Sequence, residues 1–148
     1  MHGTAGGYEG AVSWLCNRDS EASAHLVLRE DGGEATQLVP LHLKAWHARA
    51  YNARSLGVEL AWTKGRWPLG QLRVVARVVA WLLHEYNLPP RWARFGIGKG
   101  IVRHRDLGQL GGGHYRCPTM TLARWLWLLA LVRWELRRGH FRSEWALR

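Results

Sequence analysis

Cysteine, acidic residues and long apolar runs are all scarce in this chain, and each shortage removes a class of protein. Only Cys16 and Cys117 are present, too few for a disulfide framework, so the chain reads as a protein of a reducing compartment that is held by a packed core. No run of eighteen apolar residues occurs; the richest stretch, residues 125–132, is bounded by Arg124 and Arg133, so no membrane span is expected. The start lacks the charged region and apolar stretch of a secretion signal. Eleven acidic residues face 21 Lys and Arg, which leaves a formal charge of +10. Such an excess points to an anionic surface or polymer as partner. The ten Trp are scattered through helical and strand-like segments rather than interleaved with cations in one patch, which disfavours nucleic acid.

What is present fits one domain spanning 1–148, large enough to bury a core. A short helix is expected over residues 8–15, with Val12 and Leu15 one turn apart. A hairpin follows, with strands at 24–28 and 35–39 joined by the turn-forming Glu30-Asp31-Gly32-Gly33. The mostly apolar run 55–60 suggests a central strand buried on both faces. Between 69 and 86, Leu72, Ala76, Val79, Leu83 and Tyr86 recur at helical spacing, and Pro89-Pro90 stop that helix. Residues 100–102 form a candidate strand, 108–113 a flexible loop, and 121–138 a last helix. Strands alternating with helices predict an α/β fold, a central mixed sheet flanked by helices.

Five pieces, in order, carry a resemblance. They are His2-Gly3-Thr4-Ala5-Gly6; Ser23-Ala24-His25-Leu26-Val27-Leu28 with Asp31-Gly32; Ala45-Trp46-His47-Ala48 with Asn52 and Ser55-Leu56-Gly57-Val58-Glu59-Leu60; His104-Arg105-Asp106-Leu107; and Cys117-Pro118. Together they resemble the type 2 N-acetylmuramoyl-L-alanine amidases, the family of phage lysozyme-type amidases and peptidoglycan recognition proteins.

The resemblance implies a Zn2+ held by His2, His104 and Cys117, and a hydrolase that cuts the amide between N-acetylmuramic acid and L-alanine in peptidoglycan or muropeptides. Three protein ligands and one open position are what amide hydrolysis near neutral pH needs. Two imidazoles and a thiolate suit zinc. By the same resemblance Glu59 moves the proton, and Trp46, His47 and Asn52 contact substrate. The family's Lys two residues before the third ligand is replaced by Tyr115. Tyr115, or His114 beside it, is therefore the expected donor to the oxyanion.

The family also has a buried strand ahead of its first histidine, which this chain lacks before Met1; the expectation is a start lying upstream, the other reading a sheet without its first strand. Localisation is expected to be cytoplasmic until release to the cell wall, as for a phage or prophage endolysin, with anionic wall polymers as further partners. A muropeptide-recycling amidase and a non-catalytic peptidoglycan-binding module are the alternatives.

Several of these residues also have plainer readings. Cys117 could be a small buried hydrophobe, and His114 could compete as third ligand. Asp106 could orient an imidazole or cap a loop, His25 could pack structurally or line a cleft, Trp46 could be core, and Glu59 could pair with an Arg. The last helix reads as core packing, while Trp127, Leu131, Arg137 and Arg138 also permit a membrane-surface role.

Overall fold

The computed structural model describes residues 1–61 and 67–139. Its sheet has four short strands, β1 (His2–Gly3), β2 (Leu26–Leu28), β3 (Ala35–Gln37) and β4 (Val58–Leu60), in the order β1-β4-β2-β3. β4 runs parallel to both β1 and β2, and β3 closes an antiparallel hairpin on β2, so the sheet is mixed as expected. The hairpin turn depends on Gly32, whose φ is +78° and whose missing Cβ leaves room for the Gly70 carbonyl, 2.9 Å from where that atom would sit.

Side-chain alternation along these strands decides which face each residue serves. Leu26 and Leu28 of β2 and Val58 and Leu60 of β4 point to one face, where they pack with α2 (Leu69–Glu85) and α3 (Leu122–Arg138) in the main core. Val27 points to the other face, against Tyr8, Ala11, Val12 and Leu15 of α1 (Tyr8–Cys16). In the parallel register His2 and Val27 both lie opposite Glu59. The α1 side therefore carries a row of His2, Glu59 and Val27, and only Val27 is apolar.

The two long helices match the expected spans closely because their periodicity is strong. In α2 the residues Leu72, Val75, Ala76, Val79 and Leu83 are buried along one stripe. α3 begins at Thr121, whose side chain accepts the Arg124 N–H, and ends at Gly139 in the left-handed region. Its Trp125, Leu128, Leu129 and Val132 are buried, with Trp127 and Leu131 half-buried on the same core. Core packing is thus the role that α3 plays in the fold. Among the described residues no helix is long and apolar enough to cross a membrane.

Two expectations fail. Residues 100–102 are not a strand: Ile101 makes one isolated parallel bridge to Trp92, because no neighbouring chain extends the pairing. Residues 108–113 are not a free loop. Most of them belong to a 3-10 segment, His104–Gly111, with a kink at Gly108, and buried Leu107 ties this segment to Ala48 and Tyr51. The strands are also shorter than the apolar runs suggested. β1, which contains His2, is an edge strand of this sheet.

Candidate metal centre and active site

Three remote parts of the chain converge at the β1 edge. His2 comes from β1, His104 from the start of the 3-10 segment, and Cys117 from the turn that follows it. Their ligand atoms all lie within 4.8 Å of one another. Both histidines are buried, and Cys117 is half-buried. The His104 end is pinned by Asp106, which accepts from the Arg103 guanidinium at 2.8 and 3.0 Å and from the Trp92 indole at 2.7 Å. Burial alone would push the Asp106 carboxyl up, but these donors outweigh it and hold it below the usual range. Asp106 is accordingly a brace for the loop. The Cys117 end is pinned by its carbonyl, which accepts from Arg105 N at 2.6 Å.

The hydrogen bonds leave one free lone pair on each ring. His104 Nε2 lies 2.8 Å from the Gly111 carbonyl, which can only accept, so Nε2 carries the proton and Nδ1 is free. Burial lowers the His104 pKa to about 4, so the ring is neutral. His2 Nε2 is engaged by His47 Nδ1 at 3.0 Å, which leaves His2 Nδ1 facing Glu59 Oε1 at 3.7 Å. Desolvation holds His2 well below its ordinary value, so it too is neutral. Cys117 Sγ receives the Gly3 N–H at 3.4 Å; burial pushes the thiol up and this N–H pulls it back. Two neutral imidazoles and one sulfur at this spacing fit a tetrahedral zinc with a position left over.

Glu59 stands beside this cluster with its side chain 14% exposed. No Arg or Lys pairs with it among the described residues, and burial raises its carboxyl to about 7. A carboxyl in that state can take or give a proton near neutral pH. It opens into a cleft of about 980 Å³, to which Trp14, Trp46, Arg49, Asn52 and His114 also contribute.

The remaining candidates separate clearly. Trp46 is 56% exposed on the cleft wall, under Lys44 Nζ at 3.8 Å, and is not core. Asn52 lines the cleft, but its Oδ1 accepts the N–H groups of His47 and Ala48 at 2.9 and 2.6 Å. His114 stacks on His104 with ring centroids 4.5 Å apart. Tyr115 is 59% exposed, donates to Gln109 Oε1, and lines a second groove that adjoins the main cleft and shares His114 and Cys117 with it. His25 is structural, since its Nδ1 accepts from Gly57 N and its Nε2 donates to the Leu43 carbonyl.

Sequence reasoning passed over Trp14 and Arg49. Trp14 sits on the exposed side of α1, and an apolar residue off the packing stripe was the available signal. Arg49 reaches the cleft with a left-handed backbone, φ +48°, which nothing in the sequence announces.

Comparison with known proteins gives the family and the fold. The family model described as N-acetylmuramoyl-L-alanine amidase matches residues 1–120. The chain is 35% identical over 126 residues to N-acetylmuramoyl-L-alanine amidase A of Achromobacter lyticus, covering 78% of this chain and 71% of that protein. Its fold is similar to the hydrolase AmiA of Staphylococcus aureus, with a TM-score of 0.74 at 21% identity over 93% of this chain and 72% of that one. A mutant endolysin from Bacillus subtilis gives 0.67 at 22% identity, over 88% and 81%.

Proposed function

This chain belongs to the N-acetylmuramoyl-L-alanine amidase family and is an amidase acting on peptidoglycan; on that premise we propose that it is zinc-dependent and works as a lytic enzyme of phage or prophage type. The observation that carries the zinc reading is the convergence of His2, His104 and Cys117 next to Glu59, which faces His2 Nδ1 at 3.7 Å and has no Arg or Lys partner among the described residues. When bound at those three side chains, zinc supplies a Lewis acid and lowers the pKa of water at the open position.

The chain's own residues do the rest. Glu59 accepts the proton of the attacking water and passes it to the nitrogen of the leaving L-alanine. His114 is the better placed of the two oxyanion donors, because it lines the main cleft against His104 while Tyr115 lines the adjoining groove and donates to Gln109. Trp46 offers an exposed aromatic face to substrate, and Arg49 a cation, at the cleft wall. The formal charge of +10 draws the protein to anionic wall polymers. We place it in the cytoplasm until it is released to the wall.

Zinc analysis together with muropeptide cleavage by wild type and Glu59→Gln tests this reading. One zinc per chain is expected in both, with cleavage lost in the variant. Full turnover after chelation would exclude zinc dependence. Clearing of intact sacculi supports the lytic role, whereas activity confined to soluble muropeptides would mark a recycling enzyme.

A further inference from the structure

The segment between β3 and β4 is built around one ring, that of His47. Its backbone N–H is held by Asn52 Oδ1 at 2.9 Å, and its Nε2 lies 3.2 Å from the Ser55 carbonyl. Ser55 is fixed in turn by its hydroxyl, which donates to the Tyr51 carbonyl at 2.7 Å. Gly57 provides the space: a Cβ there would stand 2.7 Å from His47 Cγ. Asn52, Ser55 and Gly57 together make a socket, and the ring it seats directs Nδ1 at His2 Nε2, 3.0 Å away.

We propose that His47 is a positioning residue for the metal centre, which fixes the tautomer and orientation of His2 rather than contacting substrate. The Ser55 carbonyl can only accept, so His47 Nε2 carries the proton of that bond and His47 Nδ1 is left as an acceptor. His2 must then donate through Nε2, and its lone pair is confined to Nδ1, on the side of Glu59. A ring with both nitrogens assigned in advance meets a metal without first rotating or moving a proton, which is how outer partners raise the affinity of a ligating histidine.

The inference rests on the zinc reading for its consequence but not for its geometry, and the test separates the two. In metal-free protein, 15N NMR of the ring nitrogens should show His2 protonated at Nε2 in wild type and in His47→Asn, whose Oδ1 occupies the place of Nδ1. His47→Gln and His47→Phe should lose that single tautomer.

Zinc affinity, measured by competition with a chromophoric chelator, should fall about 10- to 100-fold in His47→Gln and His47→Phe and stay near wild type in His47→Asn. Gly57→Ala, which displaces the ring without removing a nitrogen, should share the loss. With zinc saturating, KM for muropeptide should hold in all four variants. A raised KM with unchanged zinc affinity and an unchanged His2 tautomer would make His47 a substrate contact and overturn the proposal. If wild type bound no zinc while the tautomer shift still appeared, the zinc reading would fail and the positioning of His2 would stand.

Discussion

Residues 45–57 and 104–117 are both irregular, and both border the cleft, yet they are held in opposite ways. The first is fixed along its length by side chains bonding to its own backbone: Asn52 to two N–H groups, Ser55 to the Tyr51 carbonyl, and Ser23 Oγ to Trp46 N at 2.9 Å. It supplies none of the three candidate ligands. The second supplies two of them and is held by the Arg103, Asp106 and Trp92 cluster, by buried Leu107, by the His104 Nε2 bond to the Gly111 carbonyl and by the Arg105 bond to the Cys117 carbonyl. Its middle carries three glycines with positive φ, Gly108, Gly112 and Gly113, and the exposed Leu110 and Tyr115. The ligand-bearing ends of the second segment are thus anchored, and its exposed Leu110 and Tyr115 lie on the surface between them.

The largest effect should come from the anchored end. Cys117→Ala is expected to abolish zinc retention, and muropeptide cleavage with it, as read by metal analysis and product release. Next in size, Glu59→Gln should keep its zinc and lose about 10²- to 10⁴-fold in kcat, the usual worth of a positioned acid–base.

The same residue predicts a pH effect in metal-free protein. The folded carboxyl titrates at about 7 against 4.5 for an unperturbed one. Below pH 4.5 both states are protonated and nothing is lost. As pH rises toward 7 the unfolded chain releases its proton first and the fold weakens, by about 2–4 kcal/mol in full. Chelated Glu59→Gln should match wild type in thermal melts at pH 4 and exceed it above pH 7.5. Equal pH dependence in the two proteins would show that Glu59 is not desolvated.

Asn52→Ala probes the other region. Two N–H groups, one buried and one half-buried, lose their acceptor, which should cost about 1–3 kcal/mol of stability, and zinc affinity should drop through His47. If chelator competition found that affinity intact, the two segments would not differ as described. In the glycine-rich stretch the expected pattern reverses. His114→Ala should lower kcat about 10²-fold with stability changed by less than about 0.5 kcal/mol. Smallest of all, Tyr115→Phe should leave kcat within about twofold, since among the described residues its hydroxyl bonds to Gln109 alone. A larger loss at Tyr115 than at His114 would reassign the oxyanion donor.

Much of this is legible in the sequence. α2 and α3 announced themselves through apolar spacing that their burial repeats, and Glu59 stood out as a carboxylate on an apolar strand. The ligand set followed from motif order through the family resemblance, and its convergence is what the structure adds. The misread pieces share a cause. Pairing at 100–102 and the 3-10 winding near 108–113 depend on Trp92, Ala48 and Tyr51, neighbours remote in sequence that leave no local period. Whether Tyr115 or His114 faces the cleft turns on the path of three left-handed glycines, which spacing does not encode.

By itself, then, the sequence determined the helices, the presence and order of the donors, and an isolated acid among them, because each is written in local pattern or residue chemistry. Only the tertiary structure decided which nitrogen of His2 is free. That outcome needs the Ser55 carbonyl, the ring of His47 and the edge of the sheet to meet within hydrogen-bond distance, and it is packing that brings His2 and His47, 45 residues apart, to that spacing.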